Sequence, residues 1–469
     1  MLTIHDQTST PSQAIGRRAF LRIGSMGLAG MTLPDLLAAR ALAAGNPPPI
    51  TDRSVIFLFL HGGPSQTETF DPKMEAPAEI RSATGELSTA IPGVTFGGTF
   101  PRLASLADRF SIVRSYRTGD GNHDIKPIVS RYSLGANLGS LYARIAGTNH
   151  PGNGMPRNVA LFPRAVDEST QPANFSFGKF DSSGSLGNAC APFVPGGGGS
   201  LQQDMQLALE RTHLDDRRSL LRQLDQFKRQ VDAQGLLDGV DRFQQQAFQT
   251  ILGGVASAFD ISKESPACVA RYDTAPLVRP ENISRKWNNY NNYVDNAKTL
   301  GRLLLLARRL CEAGCGFVTV TTNFVWDMHA DVNNATVEEG MQYMGLPLDH
   351  ALSAFIEDVE SRGLRDKILL VASGEMGRTP RINANGGRDH WGGIAPLLLY
   401  GGGTRAGQVI GQSSRDGGEP RSEPLEMTHL MATIHHALLK VSDVRLMPGL
   451  SAELINSITA AQPIPGLYA

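Results

Sequence analysis

Short, continuous apolar runs alternate with amphipathic segments along much of this chain. The apolar runs cover Ser54 to Leu60, Phe317 to Thr321, Ile368 to Ala372 and Pro396 to Tyr400. Runs of this length between turn residues are typical of strands that are buried on both faces of a parallel sheet. The pattern therefore predicts a sheet whose central strands are fully covered.

The segments that precede these strands have helical periodicity. Leu300 to Glu312 and Leu348 to Arg362 carry apolar residues at helical spacing, and Met427 to Leu439 predicts a closing helix. An alternation of helices and strands predicts an α/β fold with a doubly wound, mostly parallel sheet. We expect one α/β domain over residues 50–469.

A region of different composition interrupts this pattern. Residues 196–200 form a glycine-rich linker, and residues 201–260 are rich in Gln, Arg, Leu and Asp at helical spacing. The spacing predicts a helical hairpin inserted into the α/β domain. We expect its charged residues to form a solvated face rather than a binding patch.

The start of the chain resembles an export signal. Arg17-Arg18 precedes an apolar, glycine-rich run from Ile23 to Leu37, and Ala41-Leu42-Ala43 has the small-residue pattern of a cleavage site. This order predicts a twin-arginine signal peptide over residues 1–43, read by the twin-arginine translocation machinery, with the alternative of a mobile amphipathic N-terminus. The apolar run is shorter than the ~20 residues that a membrane span needs, so we expect no permanent span. The mature protein is expected in the periplasm or outside the cell.

Composition excludes some classes of partner. A formal net charge of −1 gives no electrostatic reason to expect binding to nucleic acid or to an acidic membrane surface. The chain contains 50 Gly and 28 Pro, while charged residues make up only 19%. This balance is typical of a loop-rich globular enzyme.

The four cysteines are few for an exported chain of this length. Disulfides are therefore not expected to hold the fold together. Cys311 and Cys315 have helical spacing in an apolar region, which favours buried structural thiols over a metal site. A disulfide between Cys190 and Cys268 stays open at this point.

Polar side chains cluster after three of the predicted strands. Ligands of open α/β sheets bind beyond the carboxyl ends of the strands, and Asp, Glu and His are the residues that Zn²⁺, Mn²⁺, Mg²⁺ or Ca²⁺ accept. We therefore expect one or two divalent ions at this edge. The candidates are His61, Ser65, Glu68 and Asp71 after the first run, Asp327, His329 and Asp331 after the second, and Glu375, Arg378, Asp389 and His390 after the third.

The pair Asp327 and His329 is the most specific part of this pattern. Two residues apart in extended backbone, both side chains project to the same side, so both can reach one ion. A hydrogen-bonded carboxylate and imidazole without an ion is the alternative interpretation.

Several longer motifs resemble a known family. These are FLFLHGGPSQTETFDPK, the run RLLLLARRLCEAGCGFVTV before WDMHAD, and GEMGRTPRINANGGRDHWG followed by GGGTRAGQVIG. Together with the signal, they resemble the secreted family called domain of unknown function 1501, over nearly the whole mature chain. That family is grouped with the alkaline phosphatase and sulfatase superfamily, whose members hydrolyse phosphate or sulfate esters at a site with one or two metal ions. The resemblance implies an alkaline phosphatase-like fold.

The resemblance also implies roles for individual residues. Asp327 and His329 look like the carboxylate and histidine of one metal site, and His390 looks like its late third ligand. Glu375 follows the strand after which the superfamily has an Asp-His pair, but Met376 stands in place of that His. This departure puts a second ion in question. Asp389 is implied as a residue that orients a ligand or as an alternative ligand.

The opening motif departs from the superfamily in a similar way. An Asp usually follows the first strand directly, whereas this chain has His61 there, with Glu68 and Asp71 further on. Glu68 stands where the family has an Asp, which keeps the carboxylate.

The residue that would attack the ester is not evident. The matching segment GDGNHDIKPIVSRYSLG offers His123 and Asp124, without a hydroxyl at the expected place. Hydroxide on a bound ion could substitute, because Zn²⁺ lowers the pKa of water to about 7. His123 or His61 would then handle protons. Arg378 or Arg388 would stabilise charge on the ester, or would pair with Asp389 or Glu375.

The expected function is an exported, metal-dependent hydrolase of sulfate or phosphate esters. A small-molecule or glycan ester is the expected substrate. The alternative is a catalytically degenerate, alkaline phosphatase-like protein that binds a carbohydrate or a surface partner without converting it.

Overall fold

The computed structural model describes residues 48–195 and 255–468. The predicted signal peptide at 1–43 and residues 201–254 of the predicted helical insertion lie outside the described residues. Within the described ranges, we find no helix with the length and apolar character needed to cross a membrane.

The helices and strands alternate along the described chain. The strands are β1 (Ser54–Phe59), β2 (Glu86–Ser88), β3 (Thr95–Gly97), β4 (Ser111–Val113), β5 (Tyr116–Arg117), β6 (Asn158–Leu161), β7 (Phe317–Thr321), β8 (Ile368–Ser373), β9 (Gly377–Arg378), β10 (His390–Trp391), β11 (Leu397–Gly401), β12 (Val409–Ile410) and β13 (Leu425–Glu426). The helices are α1 (Pro101–Ser105), α2 (Leu138–Ala146), α3 (Ala256–Phe259), α4 (Pro266–Arg271), α5 (Tyr290–Glu312), α6 (Val337–Ser361), α7 (Met427–Leu438), α8 (Val441–Val444) and α9 (Ala452–Thr459).

A seven-stranded sheet forms the centre of the fold, in the order β12-β4-β11-β8-β1-β7-β6. The strands β8, β1, β7 and β6 run parallel, whereas β11 is antiparallel to both of its neighbours. The predicted doubly wound, mostly parallel α/β sheet is confirmed.

Both faces of the sheet are covered by apolar layers. Ile56 and Leu58 face the layer that contains the leucines of α5 and α6, while Val55 and Phe57 face the layer that contains α2, α7 and α9. All four of these β1 side chains are 0% exposed. Successive strand residues point to opposite faces, so burial of both faces requires the continuous apolar run that the sequence has.

Two helices are longer than the sequence pattern predicts. α5 begins at Tyr290 rather than near Leu300. α6 begins at Val337, where the Thr336 hydroxyl accepts a hydrogen bond from the Glu339 N–H, and the helix continues through Pro347. A capped start and tertiary packing of the buried Pro347 outweigh the local cost of proline inside the helix.

The four cysteines lie within the described residues, where all are buried and none is joined in a disulfide. The disulfide between Cys190 and Cys268 that the sequence left open is therefore not formed. Burial raises the pKa of Cys311 and the pKa of Cys315, the latter to about 12, so these thiols stay protonated. Packing rather than cross-linking holds the described fold together.

The carboxyl ends of three neighbouring strands lie side by side. Phe59 at the end of β1 pairs in register with Thr321 of β7 on one side and with Ser373 of β8 on the other. The polar segments that follow these strands therefore leave the sheet at the same edge.

Candidate metal centre

The turn after β1 packs directly on the loop after β7. Gly62 has φ = 112°, and a Cβ atom placed on it would lie 2.6 Å from the backbone nitrogen of Asp327. Only glycine combines this backbone conformation with so close an approach. The local sequence His61-Gly62-Gly63 therefore brings two strand ends together and sets the position of Asp327.

Two further segments complete the site. β10 pairs with β9 in antiparallel fashion, with His390 opposite Arg378, and so carries His390 back across the edge of the sheet. The loop at 118–127, which carries His123, lies on β10, where the Gly119 N–H donates to the Gly392 carbonyl oxygen at 3.0 Å. This contact places the loop that carries His123 beside the strand that carries His390.

Four side chains converge between these segments. Potential ligand atoms of His123, Asp327, His329 and His390 all lie within 4.8 Å of one another. The Asp327 Oδ1 atom lies 2.7 Å from His329 Nε2, 3.2 Å from His390 Nε2 and 3.4 Å from His123 Nε2. His329 Nε2 and His390 Nε2 are 2.7 Å apart. We call these four residues the histidine cluster.

The histidine cluster fits a transition-metal ion. In a tetrahedral site with bonds of 2.0–2.1 Å, ligand atoms are about 3.3 Å from one another. The separations of 2.7 to 3.4 Å between these nitrogen and oxygen atoms are close to that value. Imidazole nitrogens with one carboxylate suit Zn²⁺ and its first-row neighbours, whereas Mg²⁺ and Ca²⁺ take oxygen ligands. The chemistry of the donors therefore favours Zn²⁺ over Mn²⁺, Mg²⁺ or Ca²⁺.

Carboxylates outside the cluster orient two of its imidazoles. His123 Nδ1 lies 2.9 Å from Glu375 Oε1, which also accepts the Gly62 N–H at 2.9 Å. His329 Nδ1 lies 3.4 Å from Asp389 Oδ1. A carboxylate on one ring nitrogen fixes the tautomer and directs the other nitrogen to the ion. Both imidazoles thus present Nε2 to the centre.

Asp327 is held as a carboxylate by buried donors. Arg378 Nη2 donates to Oδ1 at 2.7 Å, and Asn334 Nδ2 donates to Oδ2 at 3.1 Å. Burial favours the neutral form, but the Arg378 guanidinium and the cluster's histidines outweigh burial and hold the pKa of Asp327 well below its usual range. The side chain is therefore charged and fixed in orientation.

The same surroundings shift the pKa values of His123 and His390 in opposite directions. For His123, burial opposes protonation, but hydrogen bonds to Asp327 and Glu375 outweigh it and raise the pKa. For His390, burial is the largest effect and lowers the pKa, with the positive charge of Arg378 acting in the same direction. His390 is therefore the more readily available as a neutral ligand.

The structure brings some predicted residues together in a different arrangement. Asp327, His329 and His390, all predicted ligands, belong to the histidine cluster. His123, predicted to handle protons, lies among them. Glu375 was predicted as a ligand, but its carboxylate contacts His123 Nδ1 instead. Asp389, predicted as a residue that orients a ligand or as an alternative ligand, contacts His329 Nδ1.

Two other predicted ligands lie in separate ion pairs. Glu68 is fully buried against Arg388, with Oε1 2.8 Å from Nη2, and its Oε2 accepts from the Ser82 hydroxyl. Asp71 pairs with Lys73 at 3.0 Å and accepts a hydrogen bond from Ser413. These partners already compensate the charges of both carboxylates. Neither residue is a ligand in this arrangement.

Arg378 and Arg388, one of which was predicted to stabilise charge on the ester, instead bind acceptor groups of the protein. Arg378 is 1% exposed and donates to Asp327, to the carbonyl oxygens of Gly62 and Gly63, and to Arg388 O at 3.2 Å. Arg388 is equally engaged by Glu68. Both guanidiniums therefore stabilise the loops that carry the cluster, rather than facing a ligand.

His61 lies in an aromatic environment. Its ring is 1% exposed and contacts the rings of Phe59, Phe180 and Phe324 at centroid distances of 5.1 to 5.6 Å. Burial lowers the pKa of His61 to about 4, so the ring is neutral near pH 7. A solvent-linked role in proton transfer does not follow from this placement.

Asn334 also contributes to the site, although the sequence did not predict it. Its amide lies seven residues after Asp327 in the chain and holds the second carboxylate oxygen. The segment WDMHADVNN contains Asn334, but its spacing does not show that Asn334 rather than the neighbouring Asn333 would bind Asp327.

The described architecture is that of a mostly parallel α/β protein with a cluster of metal-ligand side chains at the carboxyl edge of its sheet. The chain belongs to the family described as "Protein of unknown function (DUF1501)", which matches residues 52–457. No curated protein matches the chain.

The chain has distant similarity to solved structures of a sulfatase, a phosphonate monoester hydrolase and a lipoteichoic acid synthase. PsFucS1 sulfatase from Pseudoalteromonas sp. is 13% identical, with 86% of this chain and 71% of that chain covered and a TM-score of 0.33. Phosphonate monoester hydrolase SpPMH from Silicibacter pomeroyi is 13% identical, with 88% and 78% covered and a TM-score of 0.31. The lipoteichoic acid synthase LtaP from Listeria monocytogenes is 9% identical, with 86% and 76% covered and a TM-score of 0.31. Similarity this distant does not define the reaction, which has to be inferred from the site.

Proposed function

We propose that this protein is a metal-dependent hydrolase of sulfate or phosphate esters, exported by the twin-arginine route to act in the periplasm or outside the cell. The histidine cluster carries the proposal. Its side chains range from 7% exposed at Asp327 to 20% at His329 and 31% at His390. A small ligand can therefore approach a bound ion from the side of the two more exposed imidazoles.

A bound divalent ion supplies Lewis acidity and lowers the pKa of coordinated water to about 7. Neighbouring side chains keep the Asp327 carboxylate and the His123 ring in fixed orientations. Arg378 and Asn334 fix Asp327, and Glu375 holds the Nδ1 side of His123 away from the centre. Asp389, 59% exposed, lies 3.4 Å from His329 Nδ1 through its Oδ1 atom and holds that ring on the solvent side of the cluster.

Aromatic side chains beside the cluster support a substrate with a ring, such as a glycan ester or an aryl ester. Phe324 contacts the His123 ring edge-on at 4.7 Å, and the half-buried Phe177 stacks on Phe324 at 4.5 Å. Phe175, two residues before Phe177, is 40% exposed. Such aromatic faces pack well against apolar ring faces.

The alternative proposal is a degenerate member that binds a carbohydrate or a surface partner without turnover. Two observations favour it. The four side chains of the histidine cluster match the closed set of four ligands that structural zinc sites have. The Arg378 guanidinium is committed to protein acceptors.

Ligand substitutions test the metal site first. Asp327→Ala and His329→Ala should each reduce the ion content of the purified protein, because each removes one donor from the cluster. Elemental analysis measures the content, and His436→Ala, a half-buried imidazole elsewhere, is the matched control and should keep it. Stoichiometric ion in the double Asp327→Ala/His329→Ala variant would overturn the site.

A substrate panel tests the reaction. The ion-loaded protein should hydrolyse aryl and glycan sulfates or phosphates, and both single variants should lose this activity. Ion binding without hydrolysis of any ester, together with retention on immobilised glycans, would replace the hydrolase by the alternative.

A further inference from the structure

We propose that the Lys126 ammonium is the internal counter-ion that folds the loop at 118–127 and thereby sets His123 in the histidine cluster. Lys126 touches none of the cluster's ligand atoms in the contacts described above, so it is a positioning residue. The inference rests on the ion site of the proposed function but not on the reaction.

The ammonium gathers acceptors from both sides of His123. Lys126 Nζ lies 2.5 Å from Asp120 Oδ1, 3.1 Å from Asp124 Oδ1 and 3.4 Å from the Asn122 carbonyl oxygen. Asp120 Oδ1 also accepts the Asn122 N–H at 2.9 Å. The chain therefore wraps around one positive charge, and His123 sits at the middle of the wrapped segment.

The burial of this lysine is unusual. Lys126 is 3% exposed, whereas lysine is rarely buried unless its charge is paired. Fixing a loop costs backbone entropy at every residue, so a short loop needs strong local interactions to hold one shape. A charge shared by two carboxylates and a carbonyl provides such interactions.

The contacts of His123 outside its loop do not replace this support. Glu375 at Nδ1, Asp327 at Nε2 and the Phe324 ring all contact the imidazole, so these contacts act on the side chain and not on the backbone of His123. The docking on β10 holds the first part of the loop, through the bond from Gly119 to Gly392 and the close packing of Asp120 and Gly121, and it ends before His123. The position of the His123 backbone therefore depends on the turn that the chain makes around the Lys126 ammonium.

Removing the ammonium should affect the loop more than the core. The Asp120 and Asp124 side chains are 53% and 54% exposed, so water can solvate both carboxylates when the lysine charge is gone. Lys126→Met preserves the length and apolar stem of the side chain. The variant is therefore expected to fold while His123 loses its fixed position.

The experiment compares binding of Zn²⁺ and Co²⁺ by the mature wild type and by Lys126→Met. Chelator competition should show Zn²⁺ affinity reduced by about 10- to 100-fold, the range found when partners behind metal ligands are removed. The visible spectrum of bound Co²⁺ should change with the loss of one nitrogen ligand. Lys73→Met, which removes an ammonium paired with Asp71 at 3.0 Å, is the matched control and should leave both readouts unchanged.

A second variant guards against a folding defect. Asp120→Asn alters a half-exposed carboxylate and removes the closest partner of the ammonium, so it should weaken Zn²⁺ binding in the same direction. Wild-type Zn²⁺ affinity and Co²⁺ spectrum in both variants would overturn the inference.

Hydrogen exchange separates this inference from the proposed function. Wild-type protein that binds neither Zn²⁺ nor Co²⁺ would end the ion-site proposal. In that case the backbone amides of residues 118–127 still report on the loop. Equal protection of those amides in wild type and Lys126→Met would overturn the role of the ammonium, and faster exchange in the variant would support it.

Discussion

At the residue scale, the histidines of this protein differ by the groups around their rings. His123 and His329 each have a carboxylate on Nδ1, which leaves Nε2 for the centre. His61 and His435 are each 1% exposed, and burial lowers the pKa of each to about 4. The same side chain is thus a candidate ligand in one environment and a neutral core residue in another.

His435 on α7 makes stability depend on pH. Because its pKa is about 6.5 unfolded and about 4 folded, the unfolded chain binds the extra proton as pH falls from 6.5 to 4. Its contribution to stability is present above pH 6.5 and is lost through that window, at a cost of about 3 kcal/mol for a shift of this size. His435→Leu should remove this part of the loss in free energy of unfolding at low pH.

Urea unfolding at pH 7 and at pH 4.5 measures the difference between wild type and His435→Leu. The wild type should lose more free energy of unfolding than the variant between the two pH values. Parallel losses would show that this ring does not titrate on unfolding.

Part of the site could be predicted from residues alone. The two-residue spacing of Asp327 and His329 and the motif around His390 identified three of the four cluster residues. His123 was assigned to proton transfer, because its distance in sequence from the others gives no sign that Nε2 points to the same centre. The bond between Arg378 and Asp327 also depends on the folded path of the loops, which sequence spacing does not encode.

At the element scale, loops rather than strands determine which side chains meet. The loop at 118–127 lies so close to β10 that a Cβ on Gly392 would be 2.3 Å from the Asp120 backbone nitrogen. A Cβ atom placed on Gly121 would lie 3.0 Å from the Cβ of His390. This contact joins the segment that carries His123 to the strand that carries His390.

Gly392→Ala should push the loop at 118–127 away from β10. The clash is with backbone, so it cannot be relieved by a side-chain rotation, and overpacking of this kind typically costs about 1–3 kcal/mol. We expect a lower melting temperature and weaker Zn²⁺ binding. Gly152→Ala is the control, since the nearest atom to a Cβ there is a His150 side-chain atom at 3.3 Å. Equal Zn²⁺ affinity in the two variants would argue against the contact as a determinant of the site.

The elements with long apolar patterns could be predicted, and the short ones could not. β1, β7, β8 and β11 agree closely with the runs in the sequence. The edge strands β12 and β6 and the strand β4 have two to four residues each, too few for a periodic signal. α6 was predicted to begin after Pro347, because a local rule disfavours proline inside a helix that packing nevertheless maintains.

At the scale of the whole molecule, the described residues form one sheet with apolar layers on both faces. The division into a signal over 1–43, an α/β domain over 50–469 and an inserted helical hairpin over 201–260 stays a prediction. Of the insertion, only its last part lies within the described residues, where α3 begins at Ala256.

Replacing Arg17 and Arg18 by Lys should abolish export, because the translocation receptor reads the guanidinium pair and an ammonium does not reproduce its planar geometry. Cell fractionation with an antibody against the mature protein measures the outcome. Replacement of Lys126 by Met, which leaves the signal intact, is the control for export of a folded chain. Mature protein of unchanged amount outside the cytoplasm in the double Arg variant would refute the signal assignment.

The histidine cluster joins parts of the chain that are far apart in sequence. His123 and its partner Glu375 are separated by 252 residues, and His390 lies further along still. A nascent chain therefore has no complete ion site until nearly the whole domain has been synthesised and its sheet has closed. An ion at this cluster would therefore not nucleate folding, unlike the zinc in small domains that are unfolded without metal. It would bind after folding, so the compartment in which the chain folds would select it.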